Sequence, residues 1–209
     1  MYLQNVNKEA LFTMKKVTLF QLKQIALQSK ADLWEAANRV GRDVKLYLHW
    51  SAGHYGQFFD DYHISIDNDG SIYVSTVDFS EAKGHTYKRN TGAIGISMAC
   101  CVGATTNNLG KEPPTDLQIE AMAQVVAVLC RALDLTCDLK RVMTHAEAAN
   151  NMDGINPGYE SNGYKNGMYG PGYSCERWDL AVLKAGDKMM SGGNTIRGKA
   201  VWYQQYGGL

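Results

Sequence analysis

The chain has 209 residues, 45% hydrophobic and 20% charged, and its 21 Lys plus Arg are balanced by 21 Asp plus Glu. That length fits one well-packed domain, and the neutral balance gives no electrostatic attraction to nucleic acid or to an anionic membrane surface. Neither the opening residues, "MYLQNVNKEALFTMKKVTLFQLKQIALQ", nor any later run has the uninterrupted apolar length of a signal peptide or a membrane span, so the expectation is a protein made in the cytoplasm without a signal peptide.

Along the chain, "TLFQLKQIALQSKADLWEAANRVG" carries apolar residues at helical spacing. Thr18 reads as its N-cap, Asp32 as the start of a second short helix and Gly41 as the stop. "VKLYLHW" at 44–50 reads as a buried strand, and "YHISID" and "SIYVSTV" around "NDG" as a β-hairpin. The "DNDG" stretch lacks the spacing of a calcium loop and is read as a plain turn. A loop, "SEAKGHTYKRNTG", leads to a further buried strand, "AIGISMACCV". After Pro113 and Pro114, Thr115 caps "LQIEAMAQVVAVLCRALDL", which is apolar on nearly every face and is therefore placed centrally against the sheet. "RVMTH" reads as a last strand, the Gly-, Asn- and Tyr-rich stretch from Asp153 to Tyr173 as a functional loop, "ERWDLAVLKAGDKMM" as a helix and "TIRGKAVWYQQYGGL" as a tail.

Two residues raise the question of chemistry. His49 ends the first core strand and His145 the last, and a strand end has no packing need for histidine. Either alone reads most simply as a satisfied core residue; together they resemble a site assembled at one sheet edge. A catalytic zinc site takes three protein ligands from His, Cys, Asp or Glu and leaves one position open. For the third ligand Asp153, Cys175 and Asp179 all follow His145, and spacing does not decide among them. The five cysteines, Cys100, Cys101, Cys130, Cys137 and Cys175, lack the pattern of a secreted disulfide framework and read mainly as buried thiols.

The motifs "HWSAG", "YHISIDNDGSIY", "GHTYKRNTGAIGI", "VMTHAEAA" and "CERWD", in that order, resemble the zinc-dependent N-acetylmuramoyl-L-alanine amidases of type 2. That superfamily includes phage endolysins and the peptidoglycan recognition proteins. The resemblance covers about residues 44–184 and is nearest the phage and prophage branch. It implies an α/β fold, a single domain with a central mixed β-sheet flanked by helices. Residues 1–43 would be an N-terminal helical extension, 44–190 the amidase domain and 191–209 a tail packed on it.

The resemblance further implies zinc as cofactor, with His49, His145 and Cys175 as ligands, because "CERWD" fits the family's spacing of Cys, two residues, aromatic, Asp. Asp179 then falls at a helix start. Tyr62 matches a tyrosine beside the metal, and His85 a histidine beside the cleft; both are implied to be catalytic. His63 is read as structural, pointing away from Tyr62 if the two share a strand. Ser97 and Tyr173 stand where some relatives carry a glutamate and a lysine, which leaves the proton shuttle unassigned; Glu147 is a weak alternative.

The implied activity is hydrolysis of the amide between N-acetylmuramic acid and L-alanine in peptidoglycan, by an endolysin that reaches the wall after release from the cell. The alternatives are a non-catalytic peptidoglycan-binding protein of the same fold, and a structural zinc site closed by Asp153 or His85.

Overall fold

The structure, a computed structural model, describes residues 13–105, 108–154 and 179–208. Its strands are β1 (Lys15–Val17), β2 (Lys45–Trp50), β3 (Ile64–Ile66), β4 (Ile72–Val74), β5 (Ala93–Met98) and β6 (Val142–Thr144), and its helices α1 (Leu19–Arg39), α2 (Asp116–Leu133), α3 (His145–Ala149) and α4 (Gly192–Tyr206). The strands form one six-stranded mixed sheet in the order β1-β4-β3-β5-β2-β6. β3, β5, β2 and β6 run parallel, and β4 is antiparallel to both of its neighbours. Among the described residues no helix is long and apolar enough to cross a membrane.

Three helices start with the same local device. Thr18 with Gln21, Thr115 with Gln118 and Thr144 with Glu147 each form a capping box, in which the threonine hydroxyl accepts the N3 backbone N–H and the N3 side chain accepts the N–H of the cap. Each box satisfies two backbone donors that a helix start leaves unpaired, and loss of the threonine hydroxyl typically costs about 1 kcal/mol. Gln118 goes further. Its amide N–H groups reach the carbonyls of Ile66 and Ala99, which ties the start of α2 to the carboxyl ends of β3 and β5.

Period-two alternation gives the sheet two unlike faces. Leu46, Leu48 and Trp50 of β2, with Ile94, Ile96 and Met98 of β5, enter the main apolar core, which α1 and α2 complete with Leu22, Leu33, Met122 and Leu129. The intervening residues face the other way. Tyr47 lies opposite Gly95, and His49 opposite Ser97, which in turn faces Ser65 of β3. This second face carries a small apolar cluster, Tyr47, Ala93, Met143 and Ala148, beside its polar residues, and His85 packs directly on Gly95.

The structure departs from the sequence reading in three places. α1 is one helix of 21 residues in which Asp32 is an interior position; Leu33, Ala36 and Ala37 continue the buried stripe through it, so nothing breaks the helix there. The expected helix after residue 176 is absent from the described part, where residues 179–191 form turns. Leu180 is left-handed there (φ 63°), and the Asp187 carboxylate accepts the backbone N–H groups of Leu183 and Lys184. Its run of apolar residues marks all-round burial rather than a helical face. The helix comes later, as α4, where a tail had been read, and it packs on α2 and β6. β1, which the sequence reading placed inside an extension, joins the sheet edge through β4.

Gly92 shows how tightly α1 is seated: it adopts φ +68°, and a methyl group there would overlap the Ala37 backbone. Gly92→Ala is therefore expected to cost about 3 kcal/mol, from combined left-handed strain and overpacking. Equilibrium urea denaturation measures it.

Candidate metal centre

Parallel pairing sets up the centre. β2 and β6 are neighbours with Leu48 opposite Thr144, so the residues that follow, His49 and His145, emerge side by side at the carboxyl end of the sheet. Their rings lie 4.8 Å apart, near edge-to-face at 71°. The capping box at Thr144 fixes the point at which β6 turns into α3, and His145 is the first residue of that helix.

Asp179 completes the group. Its Oδ2 sits 2.8 Å from His49 Nδ1 and 3.1 Å from His145 Nδ1, and its backbone carbonyl accepts the Ala146 N–H at 3.3 Å. All three side chains are buried, and one ligand atom from each lies within 4.8 Å of the others. Burial would push the Asp179 carboxyl up, but the histidines, His145 foremost, outweigh it and hold the group well below the usual carboxylate range.

The donor set fits a tetrahedral metal. Ligands about 2.0–2.1 Å from zinc stand about 3.3 Å from one another, near the 2.8 and 3.1 Å that separate Asp179 Oδ2 from the two Nδ1 atoms. The second carboxylate oxygen, Asp179 Oδ1, is buried without a hydrogen-bond partner among the described residues. An isolated buried acceptor is costly, and a cation bound to the carboxylate relieves that cost.

Two further residues singled out in the sequence stand beside this group. The Tyr62 ring lies 5.1 Å from that of His49, and the His85 ring 5.3 Å from it. His85 is buried rather than a surface-loop residue. Burial, then the charge of His49, holds its imidazole well below the ordinary value. Cys175 lies outside the described residues, as does most of the Asp153–Tyr173 loop. Asp153 itself is turned to another task, accepting Arg89 Nε at 2.9 Å and Nη2 at 3.1 Å as well as the Tyr47 hydroxyl.

Residues 62 and 63 precede β3, so strand alternation does not separate them. The His63 ring lies 5.8 Å from that of His85. It is nonetheless bonded as a structural group: Nδ1 accepts the Gly95 N–H, and Nε2 faces the Glu81 carbonyl at 2.8 Å. His54 pairs with Glu112 at an exposed position. Glu147, the weak shuttle alternative, is committed to the capping box and to Arg197.

The profile of the N-acetylmuramoyl-L-alanine amidase family matches residues 26–158 of the chain. The chain belongs to this amidase family. Solved structures similar to this amidase-family chain include the endolysin N-acetylmuramoyl-L-alanine amidase LysCS from Clostridium intestinale, 18% identical over 49% of this chain and 68% of that one, with a TM-score of 0.37. Drosophila PGRP-LB is 17% identical over 50% of this chain and 70% of that one, also with a TM-score of 0.37. No curated protein matches the chain at a significant level.

The family match carries His49 and His145 but stops before Asp179. In the sequence Asp179 is one of three candidates for the third ligand, and the resemblance puts it at a helix start. The available signal was "RWDL", an acidic residue flanked by a tryptophan and a leucine, where a solvated aspartate is not expected.

The buried histidines imply a stability profile. Burial pushes His63 from 6.5 down to about 4, against the smaller opposing effect of the Glu81 carbonyl. Between those values the unfolded chain binds a proton that the folded chain refuses. The stabilisation is full above pH 6.5, is lost as the pH falls through this window, and levels off below about 4. His63 alone accounts for about 3 kcal/mol, and His85 adds in the same direction. Urea unfolding at pH 7, 5.5 and 4.5 is expected to show this loss, with a shallower slope in His63→Gln.

Proposed function

We propose that the chain is a zinc-dependent N-acetylmuramoyl-L-alanine amidase, cleaving the amide between N-acetylmuramic acid and L-alanine of peptidoglycan, and that it acts on the wall as a phage or prophage endolysin. The observation that carries the reading is the buried His49–His145–Asp179 group within a member of this family. His49, His145 and Asp179 hold the metal. The motif resemblance implies Cys175 as the third ligand; we assign that place to Asp179, whose carboxylate lies between the two imidazoles. The phage-like "CERWD" motif supports the endolysin role.

Zinc bound there supplies Lewis acidity to the scissile carbonyl and to the attacking water. The protein's share is orientation and proton control. With Nδ1 of His49 facing the ligand group, its proton sits on Nε2, 3.4 Å from Thr86 Oγ1. The Thr86 hydroxyl then donates to His85 Nδ1 at 2.9 Å. This chain leaves the His85 proton on Nε2, the one buried imidazole nitrogen without a partner among the described residues. His85 is thereby a neutral donor beside the His49 ring, and we assign it to stabilising charge that develops on the carbonyl oxygen. The Tyr62 phenol, against the His49 ring, is the second donor.

Digestion of purified peptidoglycan, read by mass spectrometry, tests the proposal. Released stem peptides with free L-alanine amino termini, lost on chelation and restored by zinc, are expected. Asp179→Ala and His145→Ala are expected to lose at least about 100-fold in activity together with stoichiometric zinc, while Cys175→Ser keeps both. The opposite pattern between Asp179 and Cys175 would return the third ligand to Cys175. Peptidoglycan that is bound but uncut in the presence of zinc would make the chain a recognition protein.

A further inference from the structure

α4 lies beyond the family match, yet its first turns press on both segments that carry the ligand group. Gly192 packs on the carbonyl of Leu180, the residue after Asp179, and Gly193 packs on the carboxylate of Glu147, two residues after His145. A methyl group at either glycine would overlap the atoms it touches. The Gly192 N–H also bonds to the Ala181 carbonyl at 3.3 Å.

One turn later, Arg197 closes the contact. Its Nη1 donates to Glu147 Oε2 and its Nη2 to Oε1, at 2.8 and 2.7 Å, with both side chains buried. Nη1 also reaches the Val142 carbonyl of β6 at 2.8 Å, and Nη2 the Asn194 side chain at 2.6 Å. Glu147 Oε2 in turn accepts the Thr144 backbone N–H at 2.9 Å. The guanidinium therefore spans β6, the cap of α3 and α4, and His145 is the residue held between the bonded positions 144 and 147.

We infer that Arg197 and Glu147, with the Gly192–Gly193 start of α4, form a clamp that positions His145 and Asp179 as metal ligands. The inference rests on the metal reading above. The pair touches neither substrate nor reacting atoms. It acts through the backbone on either side of His145 and through the chain next to Asp179. Two charges buried this deeply are expensive, and well-packed apolar residues in their place are often as stable. A bidentate pair instead fixes direction as well as distance, and a ligand group tolerates little error in either.

The test uses the full chain, stripped of metal and titrated with zinc against a chromophoric chelator, and separately loaded with cobalt for its visible spectrum. Three variants are compared. Arg197→Lys keeps the charge but loses the fork. Glu147→Leu combined with Arg197→Met removes both charges, so that no buried ion is stranded. Gly193→Ala wedges α4 away from the Glu147 carboxylate.

A clamp predicts zinc affinity about 10–100-fold weaker in all three, an altered cobalt absorption envelope, and kcat reduced more than KM. The metal-free double variant is expected to melt close to the wild type. Wild-type zinc affinity and cobalt spectrum in the folded double variant would overturn the clamp while leaving the metal centre standing. A wild-type chain that binds no zinc would overturn the metal reading beneath it.

Discussion

The structure turns on a carboxylate that has no access to water. Asp179 is completely buried, and an ionised group in that position must be compensated at close range or the fold loses several kcal/mol. The compensation comes from two imidazoles placed by the parallel pairing of β2 with β6. The Ala146 N–H, which holds the Asp179 backbone, belongs to the same short helix as His145. Strand register, cap and turn therefore converge on one charge, and each would be less constrained without it.

The sheet separates stability from chemistry. One face is a continuous apolar core shared with α1 and α2. The other gives up apolar burial to make room for imidazoles. Gly95 leaves space for the His85 ring, whose approach a Cβ would bring to 2.6 Å, and its own N–H anchors His63. The loop that carries His85 and Thr86 is fastened by Arg89, one of the largest fully buried side chains, through its ion pair with Asp153. Polar groups on this face are costly unless satisfied, and nearly all are paired with one another or with backbone; the exceptions among the described residues, His85 Nε2 and Asp179 Oδ1, sit at the centre.

Much of this was legible in the sequence because the signals were local. The hairpin around "NDG", the capping threonines 18 and 115, and the buried strands "KLYLHW" and "AIGISM" follow from turn chemistry, caps and periodicity. His49 and His145 stood out as strand-end histidines. What was missed depends on distant partners. Asp179 looks like a helix-start residue until its carboxylate is seen between side chains 130 and 34 positions away. α4 begins with two glycines and has a weak apolar stripe, so its sequence reads as a tail; its buried face is legible only against Glu147 and the core. The run Leu180–Leu183 before it is apolar because it is buried on all sides, a condition that imitates a helical face in a short window.

The separation of the ligands along the chain also governs when the centre can exist. β2 is synthesised early, but its partner β6 and the turn at Asp179 come much later, and α4 must then dock to close the arrangement. Contacts this distant in sequence form late and slowly in folding. A chain cut short after β2 has the first histidine but neither of the residues it meets. The His49–His145–Asp179 group is thus complete only once synthesis has passed Asp179, and the buried partner of Glu147 arrives only when Arg197 has folded back.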